Sequence, residues 1–324
     1  MQRTLSRKNE TTPILSPRNI GSILAFVIIS GLGLAWLFFF VVIPIFAPIQ
    51  YTLQYEVSLF FDLLTAILIL FAVVYNSINM TSQLARNRSA NSSVESEEKN
   101  GVVQMQSVKR FSLNQRIQHV WLIVTVGICA LTGFDQYYFD SWGRPVVLFL
   151  GGLPENMNLH LLAAFFLGVL VVYHFTYYAV SYVGKRLVGQ PARLGMIPSR
   201  NEVSDFFADM KFMLGSGSRP KFAKYSYVQK FDYWSVYWGI GILGVPGIIL
   251  WAYGYSTLGG LPFIFHTKEA ILAIFWIWMF HFYHTHLSPA KFPVNWTFLT
   301  GRLTEKEMLE EHPLELDRIK ADGE

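Results

Sequence analysis

Six long apolar runs, separated by polar or charged segments, dominate the hydrophobic pattern of the chain. The runs are Ile20–Phe46, Val57–Asn76, Ile117–Tyr138, Leu159–Val183, Tyr233–Tyr255 and Phe265–Leu287. Each is long enough for a helix that crosses a hydrocarbon layer of about 30 Å, which needs roughly 20 residues. The first run is long and lacks a small-residue cleavage site, so we interpret it as a retained span and not as a signal peptide. The pattern predicts an all-α integral membrane protein with six transmembrane helices, spans 1 to 6.

The basic residues are distributed unevenly among the predicted loops. Of the 26 lysines and arginines, 24 fall on one side of the membrane when the six spans alternate in direction. Cytoplasmic loops carry this excess of Lys and Arg, so both termini are expected in the cytoplasm. The net charge of +4 therefore reflects membrane topology and does not indicate a nucleic-acid partner.

The polar segments divide the chain into four parts. The predicted parts are a two-helix membrane hairpin over 1–80, a disordered cytoplasmic linker over 81–108, a four-helix part over 109–290 and a cytoplasmic tail over 291–324. The linker prediction comes from the polar, mixed-charge run 82–103. Apolar residues at helical spacing in 201–214 predict an amphipathic helix, either on the cytoplasmic membrane face or docked on a partner subunit. The charged segment 304–324 predicts a solvated helix with a frayed end.

Composition narrows the chemistry further. The chain is 52% hydrophobic and only 15% charged, whereas an average soluble protein carries about 25% charge. Its single cysteine, Cys129, lies in an apolar run. The chain by itself therefore cannot form a disulfide, a thiolate zinc cluster, an iron–sulfur site or a covalently attached c-type haem.

Histidines are the candidate functional residues. Seven of the eight lie in the four-helix part, where ionisable side chains are costly and a functional role is the default hypothesis. At 1.5 Å per residue, His160 and His174 are ~21 Å apart on span 4, and His266 and His281 are ~22 Å apart on span 6. Both spans run in the same direction, so they present histidines at two matching depths. This is the arrangement that bis-imidazole ligation of two b-type haems requires.

The outer level has one obvious pair, and the inner level has more candidates than it needs. His160 and His266 form the expected outer pair. At the inner level we favour His281 on span 6 over His284, with either His174 or His119 opposite it. A third haem, held by His119 and His286, is a minority interpretation.

Haem propionates would need cations near the membrane surfaces. The candidates are Arg144 and Lys268 for the outer haem, and Arg110, Arg116, Lys185 and Arg186 for the inner one. Each of the four inner residues also fits the positive-inside topology without any role at a haem. Asp62 and Glu269 lie near the outer boundary, where a proton relay is less expected than an interfacial carboxylate without such a role. Glycines in spans 3 and 5 are more often used for helix packing than for cofactor contact.

These segments together resemble a known family. The matching stretches are QRIQHVWLIVTVGICALTGF (115–134), the segment from His160 to His174, KFDYWSVYWGIGILGVPGIILW (230–251) and HFYHTHLSPAKFPVNWTFLTG (281–301). They resemble the four-helix cytochrome b subunits of bacterial respiratory complexes, the family that includes the membrane subunits of formate dehydrogenase, nickel hydrogenase and thiosulfate reductase. The resemblance covers roughly 110–313, about two thirds of the chain.

The resemblance implies a diheme b-type cytochrome of the bacterial cytoplasmic membrane. Such a subunit passes electrons between membrane quinone and a partner, either a multihaem c-type cytochrome or an iron–sulfur or molybdenum catalytic subunit. In the formate dehydrogenase type, the ligands would correspond to His119, His266 and His281, with His160 completing the outer pair. His174 is an addition to that type, and its 14-residue spacing from His160 is closer to the cytochrome b of quinol–cytochrome c complexes. The extra N-terminal helix pair has no counterpart in the family and is a candidate subunit-docking element.

Two other functions remain open from the sequence. The histidines could bind a transition metal or relay protons in a transporter, although the middles of spans 4 and 6 are almost wholly apolar. Alternatively, the chain could be a haem-free membrane anchor of a larger complex.

Overall fold

The computed structural model describes residues 16–45, 52–94, 107–190 and 194–322. Within these ranges the chain is almost entirely helical, and six helices are long and apolar enough to cross a membrane. They are Pro17–Val42, Leu53–Asn87, Leu113–Tyr137, Leu153–Leu187, Tyr227–Tyr253 and Thr257–Leu287. The prediction of an all-α protein with six membrane-length helices is confirmed.

The elements are numbered along the chain. The α-helices of four or more residues are α1 Pro17–Leu37, α2 Leu53–Val94, α3 Leu113–Tyr137, α4 Arg144–Phe149, α5 Leu153–Leu187, α6 Asn201–Met213, α7 Tyr227–Tyr253, α8 Leu261–Trp276, α9 Thr297–Thr300, α10 Glu305–Glu311 and α11 Pro313–Asp322, and the strands are β1 Ser107–Lys109 and β2 Arg302–Thr304. Two π-helical turns, Ile277–His281 and Tyr283–Leu287, continue α8. We call the whole segment Thr257–Leu287 the last span.

Local signals explain where the helices of the four-helix part begin. Capping boxes start α3 and α7, because Ser112 and Ser226 each accept a hydrogen bond from the third helical residue, whose glutamine side chain accepts one in return. Proline occupies the first turn of α5 and α8, where its missing N–H costs nothing.

Helix α2 is longer than the sequence predicted. It continues to Val94, so residues 82–94 of the expected linker are helical, and residues 95–103 lie outside the described ranges. The segment is polar, but it contains neither Gly nor Pro. Hydrogen bonds from Gln83 to Asn79 (2.7 Å) and from Arg86 to Ser82 (3.1 Å) support the helix at i,i+4 spacing.

The N-terminal hairpin packs against the last span of the same chain. Ile69 and Tyr75 of α2 are buried in one apolar cluster with Trp276 and Met279. Asn76 also donates a hydrogen bond to the carbonyl of Met279 at 2.5 Å. The hairpin is therefore part of the same packed body as the histidine-bearing last span.

Helix α6 forms as predicted, and its apolar face docks on this chain. Met213 is buried in the same cluster, and Phe206 and Met210 pack against it. Asp209 accepts a hydrogen bond from Tyr227 at 2.9 Å, and burial raises the pKa of its carboxyl. Phe207 keeps 58% of its surface exposed.

The tail is helical as predicted, but it is docked on the rest of the chain and is not freely solvated. Strand β2 pairs with β1 in an antiparallel ladder, and helices α10 and α11 follow it. Leu303, Met308 and Leu316 form a buried apolar cluster. His312 is 2% exposed, donates Nδ1–H to the carbonyl of Ala223 and receives a hydrogen bond from Arg110 on its Nε2. These buried side chains hold the tail against the rest of the chain. The high overall charge of the segment hides this apolar face from a sequence average.

The long helices form two packed groups. Helix α3 packs along α5, while α7 and α2 pack along α8 and α1 packs against α2. Direct contact between α3 and α8 is slight. Because β1 precedes α3 and β2 follows the last span, their pairing defines one end of the protein, which we call the tail end.

Candidate functional site

The outer pair of histidines meets across the boundary between the two helix groups. The ring centroids of His160 on α5 and His266 on α8 are 6.1 Å apart, with the ring planes at 71°. Two imidazoles that ligate one metal from opposite sides place their centroids roughly 6 Å apart, because each metal–nitrogen bond is about 2 Å. The spacing of the pair therefore fits a single bis-imidazole centre.

Each imidazole of the outer pair is held through Nδ1. His266 Nδ1 lies 2.8 Å from the carbonyl of Leu243, which can only accept, so this nitrogen carries the proton. His160 Nδ1 lies 2.9 Å from the hydroxyl of Thr132, whose own proton goes to the carbonyl of Ile128 at 2.7 Å. Both Nε2 atoms are then unprotonated, and within the described ranges neither has a protein hydrogen bond. Metal-ligating histidines typically donate their other N–H to the protein in this way.

Two glycines give the outer pair its space. A Cβ on Gly133 of α3 would lie 3.2 Å from a ring carbon of His160, and a Cβ on Gly247 of α7 would lie 3.1 Å from a ring carbon of His266. Both distances are tighter than ordinary contacts. The sequence interpretation of these glycines as helix-packing positions misses that they contact the candidate ligands.

The inner pair consists of His119 on α3 and His281 at the end of a π-helical turn in the last span. Their ring centroids are 6.3 Å apart. His281 donates Nδ1–H to a carboxylate oxygen of Asp232 on α7 at 2.5 Å, which leaves its Nε2 free of any described protein partner. Nδ1 of His119 is buried without a hydrogen-bond partner among the described residues.

The other inner candidate, His174, does not join a pair. Both of its ring nitrogens are occupied: Nδ1 lies 2.7 Å from the Gln118 amide oxygen, and Nε2 lies 2.7 Å from the Tyr233 hydroxyl. Its described ring contacts are with Phe175, Tyr178, Tyr233 and Tyr237. The structure thus places His119, and not His174, opposite His281.

The remaining histidines of the last span face other groups. The ring of His284 packs on Phe280 and on Tyr75 of the hairpin, and its Nε2 is buried without a described partner. His286 accepts a hydrogen bond on Nδ1 from the backbone N–H of Asn295 at 3.2 Å. Neither ring contacts His119 among the described ring pairs, which differs from the minority scheme for a third haem.

The candidate propionate partners have different environments. Lys268 is bound by Asp62 of α2, with both carboxylate oxygens 2.7 Å from its Nζ, so its charge is already compensated. Arg116 lies one helical turn before His119, and its Nη1 donates to the carbonyl of Leu299. Its Nε is buried without a hydrogen-bond partner among the described residues. Arg116 therefore has a buried donor without a described partner, whereas the charge of Lys268 is already paired with Asp62.

The other basic candidates lie away from the pairs or have protein partners. Arg110 bonds to His312 in the tail at 3.2 Å. Arg144 stacks over the ring of Phe139 at 5.1 Å. Lys185 and Arg186 are exposed in the last turn of α5.

Sequence reasoning missed the residues that hold the histidines. Asp232, Thr132 and Gln118 contact His281, His160 and His174 respectively. Asp232 had a signal that could have identified it, because a carboxylate at the edge of an apolar span is costly without a partner. Nothing in the sequence marked Thr132 and Gln118 of α3 in this way, because their contacts depend on which helices are neighbours.

Among the residues that the structure describes, no three His, Cys, Asp or Glu side chains are grouped as ligands of one metal ion. The histidines of the four-helix part instead meet in twos. Comparisons of the sequence with protein-family models and with curated proteins found no match.

Proposed function

We propose that this protein is a diheme b-type cytochrome subunit that carries electrons across a bacterial cytoplasmic membrane, between the quinone pool and a partner redox subunit. One observation carries the proposal: two histidine pairs, on different helices and at two depths, have ring centroids 6.1 and 6.3 Å apart. Haem iron held by two imidazoles supplies one-electron transfer. The four-helix part would be the haem-binding unit, and no covalent attachment is needed.

The chain's own residues fix the donor atoms. Leu243, Thr132 and Asp232 each hold an Nδ1–H, so that His266, His160 and His281 present Nε2 as the ligand atom. Hydrogen bonds of this kind set ring orientation and increase ligand basicity. The carboxylate of Asp232 increases the basicity of its histidine more than the neutral acceptors at the outer pair do. The two centres should therefore differ in reduction potential.

Sparse direct packing between the two helix groups supports a macrocycle bound between them. Helices α3 and α8 make little direct contact, although the histidine pairs join their groups. At the inner pair, the buried Nε of Arg116 suits a propionate oxygen.

The two depths align the proposed electron path with the membrane normal. His119 and Thr132, which mark the inner and outer pairs on α3, are 13 residues apart, or ~20 Å along the helix. Two centres at that separation connect the two surfaces of the bilayer. The basic residues favour a cytoplasmic tail end, with the inner pair near the cytoplasm. The partner that we propose is a multihaem c-type cytochrome or an iron–sulfur or molybdenum subunit.

The test is a reduced-minus-oxidised spectrum of the purified chain, together with single histidine variants. We expect about two b-type haems per chain. His160→Ala and His266→Ala should each remove the same haem, and His119→Ala and His281→Ala should each remove the other. A chain without haem would support the anchor function, and bound transition metal without haem would support a transporter. Either result would overturn the cytochrome proposal.

A further inference from the structure

A polar pocket of about 260 Å³ opens at the tail end, between the start of α1 and the loop that follows the last span. Its lining includes three basic side chains, Arg18, Lys291 and Arg302, and one carboxylate, Glu307. None of the four paired histidines lines the pocket. The proposed electron-transfer function leaves this cluster of cations without a role.

The two arginines have no described acidic partner. Arg18 donates to the backbone carbonyl of Ala290 at 2.6 Å, and Arg302 donates to the hydroxyl of Ser107 at 3.0 Å. Both acceptors are neutral, so they orient the guanidinium groups without compensating their charge. Lys291 differs, because it forms ion pairs with Glu311 and, at 4.0 Å, with Glu307, both on α10. The pocket therefore keeps an excess of positive charge from two oriented, planar donors, which suit phosphate oxygens.

The position of the pocket relates it to the membrane surface. Arg18 is the second residue of the first membrane-length helix, and the loop that carries Ala290 starts directly after Leu287, where the last span ends. Trp296 and Val294 also line the pocket and are 59% and 39% exposed. Tryptophan is enriched at the level of lipid headgroups, where one part of its ring is wet and the other apolar.

We propose that this pocket binds the phosphate headgroup of an anionic phospholipid from the leaflet at the tail end. Arg18 and Arg302 contact the phosphate oxygens, and Trp296 and Val294 lie against the glycerol region. Basic pockets beside membrane-spanning helices bind such headgroups. A free phosphate ion shares the same oxygen chemistry, but the exposed aromatic and aliphatic rim at the span ends favours the lipid.

The experiment uses the full chain purified in a neutral detergent and native mass spectrometry with added lipid. Phosphatidylglycerol is compared with phosphatidylcholine, and each is compared with inorganic phosphate as a competitor. The test variant is Arg18→Gln/Arg302→Gln. The matched control is Arg200→Gln/Lys211→Gln, which removes the same charge from exposed positions that do not line the pocket. Elution as a single species and an unchanged Tm without lipid establish that each variant is folded.

We expect phosphatidylglycerol to bind saturably to the wild type and to the control, and at least about tenfold more weakly to the test variant. Phosphatidylcholine should bind weakly to all three. Equal binding of phosphatidylglycerol to the test and control variants would overturn the proposal. Equal binding of the two lipids would also overturn it, because the headgroup charge would then have no role. Displacement of the lipid by millimolar phosphate would show that the pocket takes a soluble phosphate instead. None of these readouts depends on haem content.

Discussion

Oδ2 of Asp232 on α7 lies 2.5 Å from Nδ1 of His281 in the last span, so one helix orients the imidazole that another helix carries. The same carboxylate accepts a hydrogen bond from the indole N–H of Trp276 at 3.1 Å. Both oxygens are thus engaged, and the ring of His281 is fixed with Nε2 away from Asp232.

Replacing Asp232 with Asn should raise the reduction potential of one haem. The amide can still hold the ring, but it removes a negative charge that favours the oxidised form of the centre. We expect a shift of roughly 50 mV, close to a tenfold change in the one-electron equilibrium. A redox titration of the b-type absorbance bands measures it.

The matched variant Thr132→Val removes the neutral hydrogen bond to His160 at the outer pair. It should change the potential of the other haem, and by a smaller amount. If Asp232→Asn and Thr132→Val moved the same haem, the assignment of the two pairs would be wrong.

His174 should be dispensable for haem binding. Both of its nitrogens are hydrogen-bonded to protein groups, and its ring lies among tyrosines. We therefore expect His174→Gln to keep two haems per chain, at some cost in thermal stability of the order of 1 kcal/mol for each lost hydrogen bond. His119→Gln should lose one haem. A pyridine haemochrome assay counts haems in both variants, and loss of a haem in His174→Gln alone would reverse the choice between them.

Gly247 should not tolerate a side chain. In Gly247→Ala the new methyl group would lie 3.1 Å from the ring of His266 and 3.2 Å from its Nδ1, so the ring must move by a few tenths of an ångström and its hydrogen bond with Leu243 is strained. We expect a reduced content of the outer haem, measured as haem per chain, with the inner haem retained. Gly31→Ala is the control, because its Cβ would meet no described atom within 4 Å. Equal haem content in the two variants would contradict the claim that the absence of a side chain at Gly247 leaves room for the ring of His266.

Acid should loosen the tail. Burial, together with the neighbouring Arg110, lowers the pKa of His312 to about 3 from its ordinary value of 6.5. The geometry explains why the pKa of His312 is lowered. Its Nε2 accepts a hydrogen bond from Arg110, and a proton on that nitrogen would face the guanidinium. Stability from the docked neutral ring is fully present above pH 6.5 and declines as the pH falls towards about 3.

Hydrogen exchange of the amides in 303–322 measures this change between pH 7 and pH 4.5, after correction for the intrinsic pH dependence of exchange. His312→Gln preserves a donor and an acceptor but cannot take up a proton. It should therefore show a smaller loss of protection in acid than the wild type. The same loss in both proteins would assign the effect to other groups.

The apolar pattern predicted the six membrane-length helices because the thickness of the hydrocarbon layer sets the length of the apolar run that crosses it. It also predicted that His160 and His266 lie at one depth, since rise per residue is fixed. The direction in which each side chain points around its helix axis was harder to predict. The π-helical turn Ile277–His281 shifts the phase of the last span just before the ligand, and a uniform 100° per residue cannot represent it.

The sequence did not predict which helix faces and which distant residues contact one another. His119 and His174 are equally plausible by depth, and the choice depends on which face of α3 and α5 meets the last span. Lys268 looked free for a propionate because its partner, Asp62, lies 206 residues away in the chain. The tail was misread for a related reason: its charge average hides His312 and Met308, which are buried by contacts with distant segments.

The Asp62–Lys268 pair has a consequence for how the chain enters the bilayer. A lysine within an apolar span costs about 2.5–3.5 kcal/mol to insert near the membrane centre, and less towards its edge. Ribosomes deliver α2 before the last span, so the carboxylate is already in place when Lys268 arrives. Biogenesis of the last span should then depend on the hairpin, and a chain shortened from its N-terminal side would have to insert an uncompensated cation.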